Sequence, residues 1–241
     1  MEFNRPPINA FNGEMVAEFA QALDELLGGV HPRVVVLASA LNKYFSVGAE
    51  LQVFEGLGAE GMKAWIGSMH SIAKKLRAAN KPLLAALHGT CVGGGLEMTL
   101  HCDVRFAAAD ARFGQPEINL NFIPPIATTQ SLVRLLGRPR AIRFLYEGTL
   151  VSSQEALEMG LVDFVIAPER LREEVKAYAE DLVRKPPEAL AAIRRTMTDG
   201  MDLPFEEAMQ LEFDAAVELA GTPNFKEGVR AFLEKRKPRW E

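Results

Sequence analysis

The sequence predicts an α/β protein built on a mainly parallel sheet, and three observations carry that expectation. Apolar runs of strand length recur at Val34 to Ala38, Leu83 to Leu87 and Cys102 to Ala108. Stretches with helical apolar spacing lie between them, at Gly13 to Leu27 and Met62 to Ala79. After Glu169 the whole remaining chain reads as helix. Strands alternating with helices at this spacing imply βαβ units joined by right-handed crossovers. In such sheets ligands sit beyond the carboxyl ends of the strands, where Gly48-Ala49 and the triple glycine Gly93-Gly94-Gly95 are expected.

Taken in order, a Pro/Asn-rich opening from Asn4 to Asn12 leads into the first helix, with Asn12 as its N-cap. Met15, Phe19, Leu23, Leu26 and Leu27 give that helix an apolar stripe, and Gly28-Gly29 ends it. Ser39 to Glu50 reads as a loop, and the glycine-rich Leu51 to Gly61 as a moving segment. Pro124-Pro125 is expected to start a helix running to Leu136, proline being suited to a first turn. Short helices follow at Pro139 to Glu147 and Ser152 to Met159, the latter capped by Ser152 or Ser153, then a last strand at Leu161 to Ile166. The helical end divides into Glu169 to Arg184, Pro187 to Asp199, Pro204 to Leu219 and Thr222 to Lys235. Neither repeats nor linkers interrupt the chain. The reading is an α/β core over 1–168 and a helical extension over 169–241 of the same domain.

Composition narrows the function classes. The 241 residues are 48% apolar and 24% charged, with a net charge of −5. That is the make-up of an ordinary globular protein without the basic face that nucleic acid requires. Cys91 and Cys102 have neither metal-ligand nor disulfide-framework spacing. The N-terminus is polar, and no apolar run approaches the ~20 residues that span a bilayer. A soluble cytoplasmic protein with reduced thiols is expected. His88 and His101 flank the glycine turn but lack a third ligand at metal spacing, so they read as structural histidines and no metal site is expected.

The chemistry concentrates between Pro82 and Pro125. The strand at Leu83 to Leu87 breaks into His88-Gly89 and the triple glycine, and Leu96 to Leu100 resumes with helix formers. A strand, glycine turn and helix in succession aim backbone N–H groups at whatever sits above the turn. Glu97 lies just inside that helix, and Glu117 follows in Phe113-Gly114-Gln115-Pro116-Glu117. Main-chain donors can hold an oxyanion, and two carboxylates can move protons to and from the substrate it polarises. On spacing alone, Glu97 equally fits a charge at a helix start and Glu117 a surface acid.

The block L-A-A-L-H-G-T-C-V-G-G-G-L-E-M-T-L-H-C-D-V, followed by F-G-Q-P-E-I, resembles the signature of the enoyl-CoA hydratase/isomerase (crotonase) superfamily. The resemblance continues at Asn4 to Asn12, Phe45 to Leu51, Glu155 to Asp163 and Glu227 to Arg236, so it spans nearly the whole chain. It implies a crotonase-like core of repeated ββα/βαβ units and a C-terminal helical region that assembles a homo-trimer or homo-hexamer. It implies a substrate that is an acyl-CoA thioester, with no separate cofactor because coenzyme A is part of the substrate. The implied oxyanion hole is the backbone N–H groups of Ala49 and Gly94, with Glu97 and Glu117 as the acid/base pair that adds water across C2=C3. Lys235 is implied as a contact to coenzyme A phosphates. The glycine-rich Gly56 to Gly61 segment reads either as a mobile lid over the acyl group or as a plain flexible loop. Relatives within the superfamily that isomerise enoyl thioesters, form other thioester enolates, or lack catalysis and bind RNA remain the alternatives.

Two departures accompany the resemblance. Only Met1-Glu2-Phe3 precedes the N-R-P motif, where the family has a β-hairpin, so either the start is cropped or the sheet is short there. The family's I-P-G-A-G-G-T-type segment here reads Ile123-Pro124-Pro125-Ile126-Ala127-Thr128-Thr129. Pro125 replaces a glycine whose N–H helps to place the catalytic glutamate or water, and proline has no N–H. Thr128 replaces another glycine, narrowing the pocket while offering a hydroxyl that could hold a water. A slow hydratase with a specialised pocket is the expectation, unless Thr128 or Asn119 restores the missing donor.

Overall fold

The computed structural model describes residues 1–240. The first strand, β1 (Glu2–Phe3), pairs in parallel with the edge of the main sheet, placing Phe3 opposite Ser39. Asn12 then caps α1 (Gly13–Leu27) by accepting from the Met15 N–H, as its position predicts. The face carrying Met15, Val16, Phe19 and Leu23 is buried. β2 (Val35–Ser39) follows, then β3 (Tyr44–Ser46), α2 (Ala59–Arg77), β4 (Leu83–Leu87), β5 (Thr90–Val92) and α3 (Gly94–Thr99). The rest of the core comprises β6 (Val104–Ala108), β7 (Arg112–Gly114), α4 (Thr128–Leu136), α5 (Arg138–Glu147), β8 (Val151–Ser152), α6 (Ser153–Met159), β9 (Phe164–Ile166) and α7 (Leu171–Val183). Three further helices close the described chain: α8 (Pro187–Gly200), α9 (Phe205–Ala220) and α10 (Pro223–Leu233).

The strands form two sheets. The five-stranded sheet has the order β1-β2-β4-β6-β9 and is parallel at every pairing. The four-stranded sheet has the order β3-β5-β7-β8 and is parallel except where β7 meets β8. All five residues of β4 are buried, which suits an unbroken apolar run in a parallel sheet covered on both faces. The expected α/β class with a mainly parallel sheet is therefore the observed one, and the sheet is doubled.

Local differences have physical causes. Ser39 to Glu50 contains β3 and the segment after Leu87 contains β5, each of three residues, too short for a period to register. Leu51 to Gly61 holds a 3₁₀ turn at Leu51–Phe54, and α2 begins at Ala59 rather than at Met62. The double proline does not start a helix. α4 begins at Thr128, after Ala127 in the left-handed region (φ 59°), because the backbone groups before it are engaged elsewhere. Ser152 is the cap of α6 and forms a full capping box with Glu155.

The helical end is fastened to the core by α7 and by one arginine. Leu171 and Val175 of α7 are buried against the main sheet. Arg194 on α8 is itself buried; its Nε donates to both oxygens of Asp103 at 2.9 and 3.0 Å. Its remaining nitrogens donate to the carbonyls of Leu76 and Arg77 at the end of α2 and of Ala79 just beyond it, at 2.6–2.8 Å, which ties α8 to the end of α2. No helix among the described residues is long and apolar enough to cross a membrane.

Candidate active site

The smaller sheet delivers the chemistry. β3, β5 and β7 run parallel side by side, in registers that place Tyr44 opposite Thr90 and Val92 opposite Gly114. Their carboxyl ends therefore open onto one place. Gly48-Ala49 leaves β3, Gly93-Gly94 leaves β5, and the 3₁₀ turn Pro116–Leu120 that carries Glu117 leaves β7. Ligand sites in parallel sheets lie at this edge.

Two glycines bring the backbones together. Gly48 has φ +83°, and a Cβ there would lie 2.8 Å from the Gly94 nitrogen. Gly93 has φ +52°, and a Cβ there would lie 2.9 Å from Oε1 of Glu117. Both positions have positive φ, which favours glycine; at Gly48 the backbone also leaves no room for a side chain, while at Gly93 a Cβ would displace the Glu117 carboxylate. Ser46 sets the first turn: its hydroxyl donates to the Asn9 carbonyl at 2.7 Å and accepts the Gly48 N–H at 3.1 Å. Asn9 is fully buried and donates from Nδ2 to Phe3, Ser39 and Phe45 at 2.9–3.2 Å. The strand bridge between Phe11 and Ala49 uses the Gly48 carbonyl and the Glu50 N–H. Neither the Ala49 nor the Gly94 N–H has a partner among the described residues.

Glu97 is 1% exposed, on the first turn of α3. Its Oε2 accepts the Ile126 N–H at 2.8 Å and the Thr128 hydroxyl at 2.5 Å. Burial pushes its carboxyl up to about 8, against the pull of those two donors and with a smaller push from Glu117. Glu117 rises to about 7, again mainly through burial, with its own backbone N–H opposing. With its amide nitrogen turned toward the carboxylate, Gln115 lies 3.1 and 3.2 Å from the two Glu117 oxygens. Two carboxyls of one site thus titrate close to neutrality.

Ala49, Gly94, Glu97, Glu117 and Thr128 accordingly meet at one site. Thr128 turns its hydroxyl to Glu97, so the group that the sequence offers as a holder for water is a donor to the carboxyl itself. Pro125 offers its carbonyl to Nε2 of His70 at 2.6 Å. Lys235 stands apart, on the exposed turn after α10 with φ 54°. Residues that the sequence did not single out are Asn9, Ser46, Ile126 and His70. Asn9 and Ser46 lie inside the quoted motifs, but the Ile126 contact is made by main chain, which leaves no residue-type signal. His88 and His101 each donate to a backbone carbonyl, of Leu41 and Ile126 respectively.

Open N–H donors beside two near-neutral carboxyls, at the edge of a doubled parallel sheet with trailing helices, define a crotonase-fold protein. The chain belongs to the enoyl-CoA hydratase/isomerase family, whose profile matches residues 1–241. It is 34% identical over 235 residues to a crotonyl-CoA hydratase of Syntrophomonas wolfei, covering 97% of this chain and 90% of that protein. A short-chain-enoyl-CoA hydratase of Clostridium acetobutylicum is 33% identical over 236 residues, covering 97% and 90%. Among solved structures, an enoyl-CoA hydratase from Geobacillus kaustophilus superposes with a TM-score of 0.96 at 31% identity, covering 99% of this chain and 90% of that one. The resemblance in the sequence and the fold class it implies are thus confirmed.

Proposed function

We propose that this protein is an enoyl-CoA hydratase, a carbon–oxygen lyase that adds water across the C2=C3 bond of a 2-enoyl-CoA thioester. The single observation that carries the reading is the pair Glu97 and Glu117, both raised toward neutrality, beside the unpartnered Ala49 and Gly94 N–H groups. The thioester oxygen binds between the two N–H donors, which stabilise it as negative charge develops in the enolate. The ionised carboxyl of the pair takes a proton from water as its oxygen attacks C3, and the protonated one supplies the proton that ends at C2. Coenzyme A arrives and leaves as part of the substrate, with Lys235 in reach of its phosphates once protomers assemble. The relatives' printed activities, crotonyl-CoA and short-chain-enoyl-CoA hydration, support a short acyl chain. The absence of a membrane-crossing helix among the described residues is consistent with a cytoplasmic enzyme.

The test is the conjugated-thioester absorbance of crotonyl-CoA, which disappears as water adds. Glu97→Gln and Glu117→Gln should each lower kcat by about 10²–10⁴-fold, the usual contribution of a positioned acid or base. A 3-enoyl-CoA that gains the conjugated band, with no loss from crotonyl-CoA, would make the protein an isomerase. No change with any enoyl-CoA would sink the enzyme reading.

A further inference from the structure

We propose that His70 is a positioning residue for Glu97, acting through the Pro125–Ile126 peptide. The proposal rests on the hydratase reading for its catalytic consequence, though not for its geometry. His70 lies on α2, half-buried, with Nε2 2.6 Å from the Pro125 carbonyl oxygen. A carbonyl only accepts, so the ring donates through Nε2–H. That carbonyl and the Ile126 N–H belong to one planar amide. The same N–H donates to Oε2 of Glu97 at 2.8 Å. A donor on the oxygen side of an amide fixes its plane and polarises the N–H on the other side. His70 therefore aims and strengthens a hydrogen bond to a carboxylate it does not touch.

A second histidine holds the next peptide. His101 is buried, and its Nε2 lies 3.2 Å from the Ile126 carbonyl. Burial, with smaller contributions from Arg77, Arg194 and His70, drops its pKa to about 4, so it remains a neutral donor at working pH. Ala127 follows with φ 59°, a conformation unfavourable to an L side chain. Strained backbone of this kind persists when its surroundings over-determine it. Here the surroundings are two imidazole hooks on consecutive carbonyls, and the N–H and hydroxyl that flank the strained residue both end on Glu97. The other titratable group facing Glu97 is Glu117.

The experiment compares the full-length wild type with His70→Ala and His70→Gln, the glutamine keeping an N–H donor on a flexible arm. Two readouts are taken: steady-state hydration of crotonyl-CoA across pH, and amide hydrogen exchange at Ile126 in the unliganded protein, which needs no activity. Expected for His70→Ala is a loss of about tenfold in kcat, with KM changed less than about twofold, from misplacement of the Glu97 carboxyl. The kcat/KM limb belonging to Glu97 should move to higher pH, because a weakened donor favours the protonated carboxyl. Ile126 exchange should quicken, and His70→Gln should restore both. Unchanged Ile126 exchange in His70→Ala overturns the hook. Faster exchange with wild-type kcat and pH profile overturns the positioning role. A wild type that hydrates neither crotonyl-CoA nor longer 2-enoyl-CoA thioesters overturns the hydratase reading and the catalytic half with it, while the exchange comparison still decides whether His70 holds the peptide.

Discussion

Glu97 is a charged residue type at 1% exposure with no cationic partner among the described residues, only two neutral donors. Such a group is costly to ionise, and the cost has a definite pH signature. Its folded-state pKa of about 8 lies above the ordinary value of 4.5. The native state therefore binds the proton more tightly than the unfolded chain, and stability falls as pH rises from near 4.5 through 8. At about 1.4 kcal/mol per pK unit the loss above pH 8 amounts to several kcal/mol. Glu97→Gln keeps an oxygen for the Ile126 and Thr128 donors and removes the titration. It should melt about 5–10 °C above wild type near pH 8.5 and within about 3 °C of it near pH 5. Equal shifts at the two pH values would show that burial of charge is not the cause. The same pair predicts a narrow bell in kcat/KM: below about pH 7 Glu117 loses its role as base, and above about pH 8 Glu97 loses its proton. An optimum broader than about three pH units would refute it. These two glutamates were legible in the sequence by residue type and order. That burial raises both of their pKa values was not, since burial is a property of everything packed around them.

The segment between Pro124 and Thr129 shows where element-level reading stops. Its prolines look like a helix start, yet the Ile126 N–H is used by Glu97 and the Pro125 and Ile126 carbonyls by histidines from other elements. With those groups engaged, α4 begins only at Thr128. By contrast α1 was predicted to the residue, because cap, apolar stripe and terminal glycines are all local. The site edge of β3, β5 and β7 was half legible: the glycines marked the turns, while three-residue strands left no period. The loop also predicts what Pro125 does. A missing N–H at that position should cost little when Ile126 and Thr128 both donate to Glu97. Pro125→Gly should therefore leave kcat within about threefold, a small fraction of what one charged hydrogen bond contributes. Thr128→Val removes a working donor and keeps the shape. It should cost about 1.5–3 kcal/mol of transition-state stabilisation, roughly ten- to a hundredfold in rate. Crotonyl-CoA kinetics on the two variants decide it: a large gain for the glycine with no loss for the valine would reverse the assignment.

At the scale of the whole molecule, the last helices are unfinished surfaces. Phe205, Met209, Phe213 and Val217 recur every four residues along α9 and are 79, 55, 62 and 57% exposed. Met197 and Met201 on α8 and its end, and Phe232 and Leu233 on α10, add to the apolar area. Single exposed apolar residues are ordinary, whereas a continuous stripe marks an interface. Only one α9 residue, Ala215, is buried within the protomer, so the outward face is larger than the inward one. The helix lies within the 169–241 region for which the family resemblance implies assembly, and a closed symmetric oligomer is the ordinary way to cover such a face. The expected outcome is a trimer or a pair of trimers at micromolar concentration, by light scattering of the full chain. Phe213→Glu places a charge on the stripe without touching Glu97 or its donors, and should shift the particle toward the monomer. If Lys235 acts on a neighbour's substrate, KM for crotonyl-CoA should rise with dissociation while the Ile126 amide keeps its exchange protection. A wild type that scatters as a monomer, or a Phe213→Glu variant that keeps the full oligomer, would show that this face is not what joins the protomers.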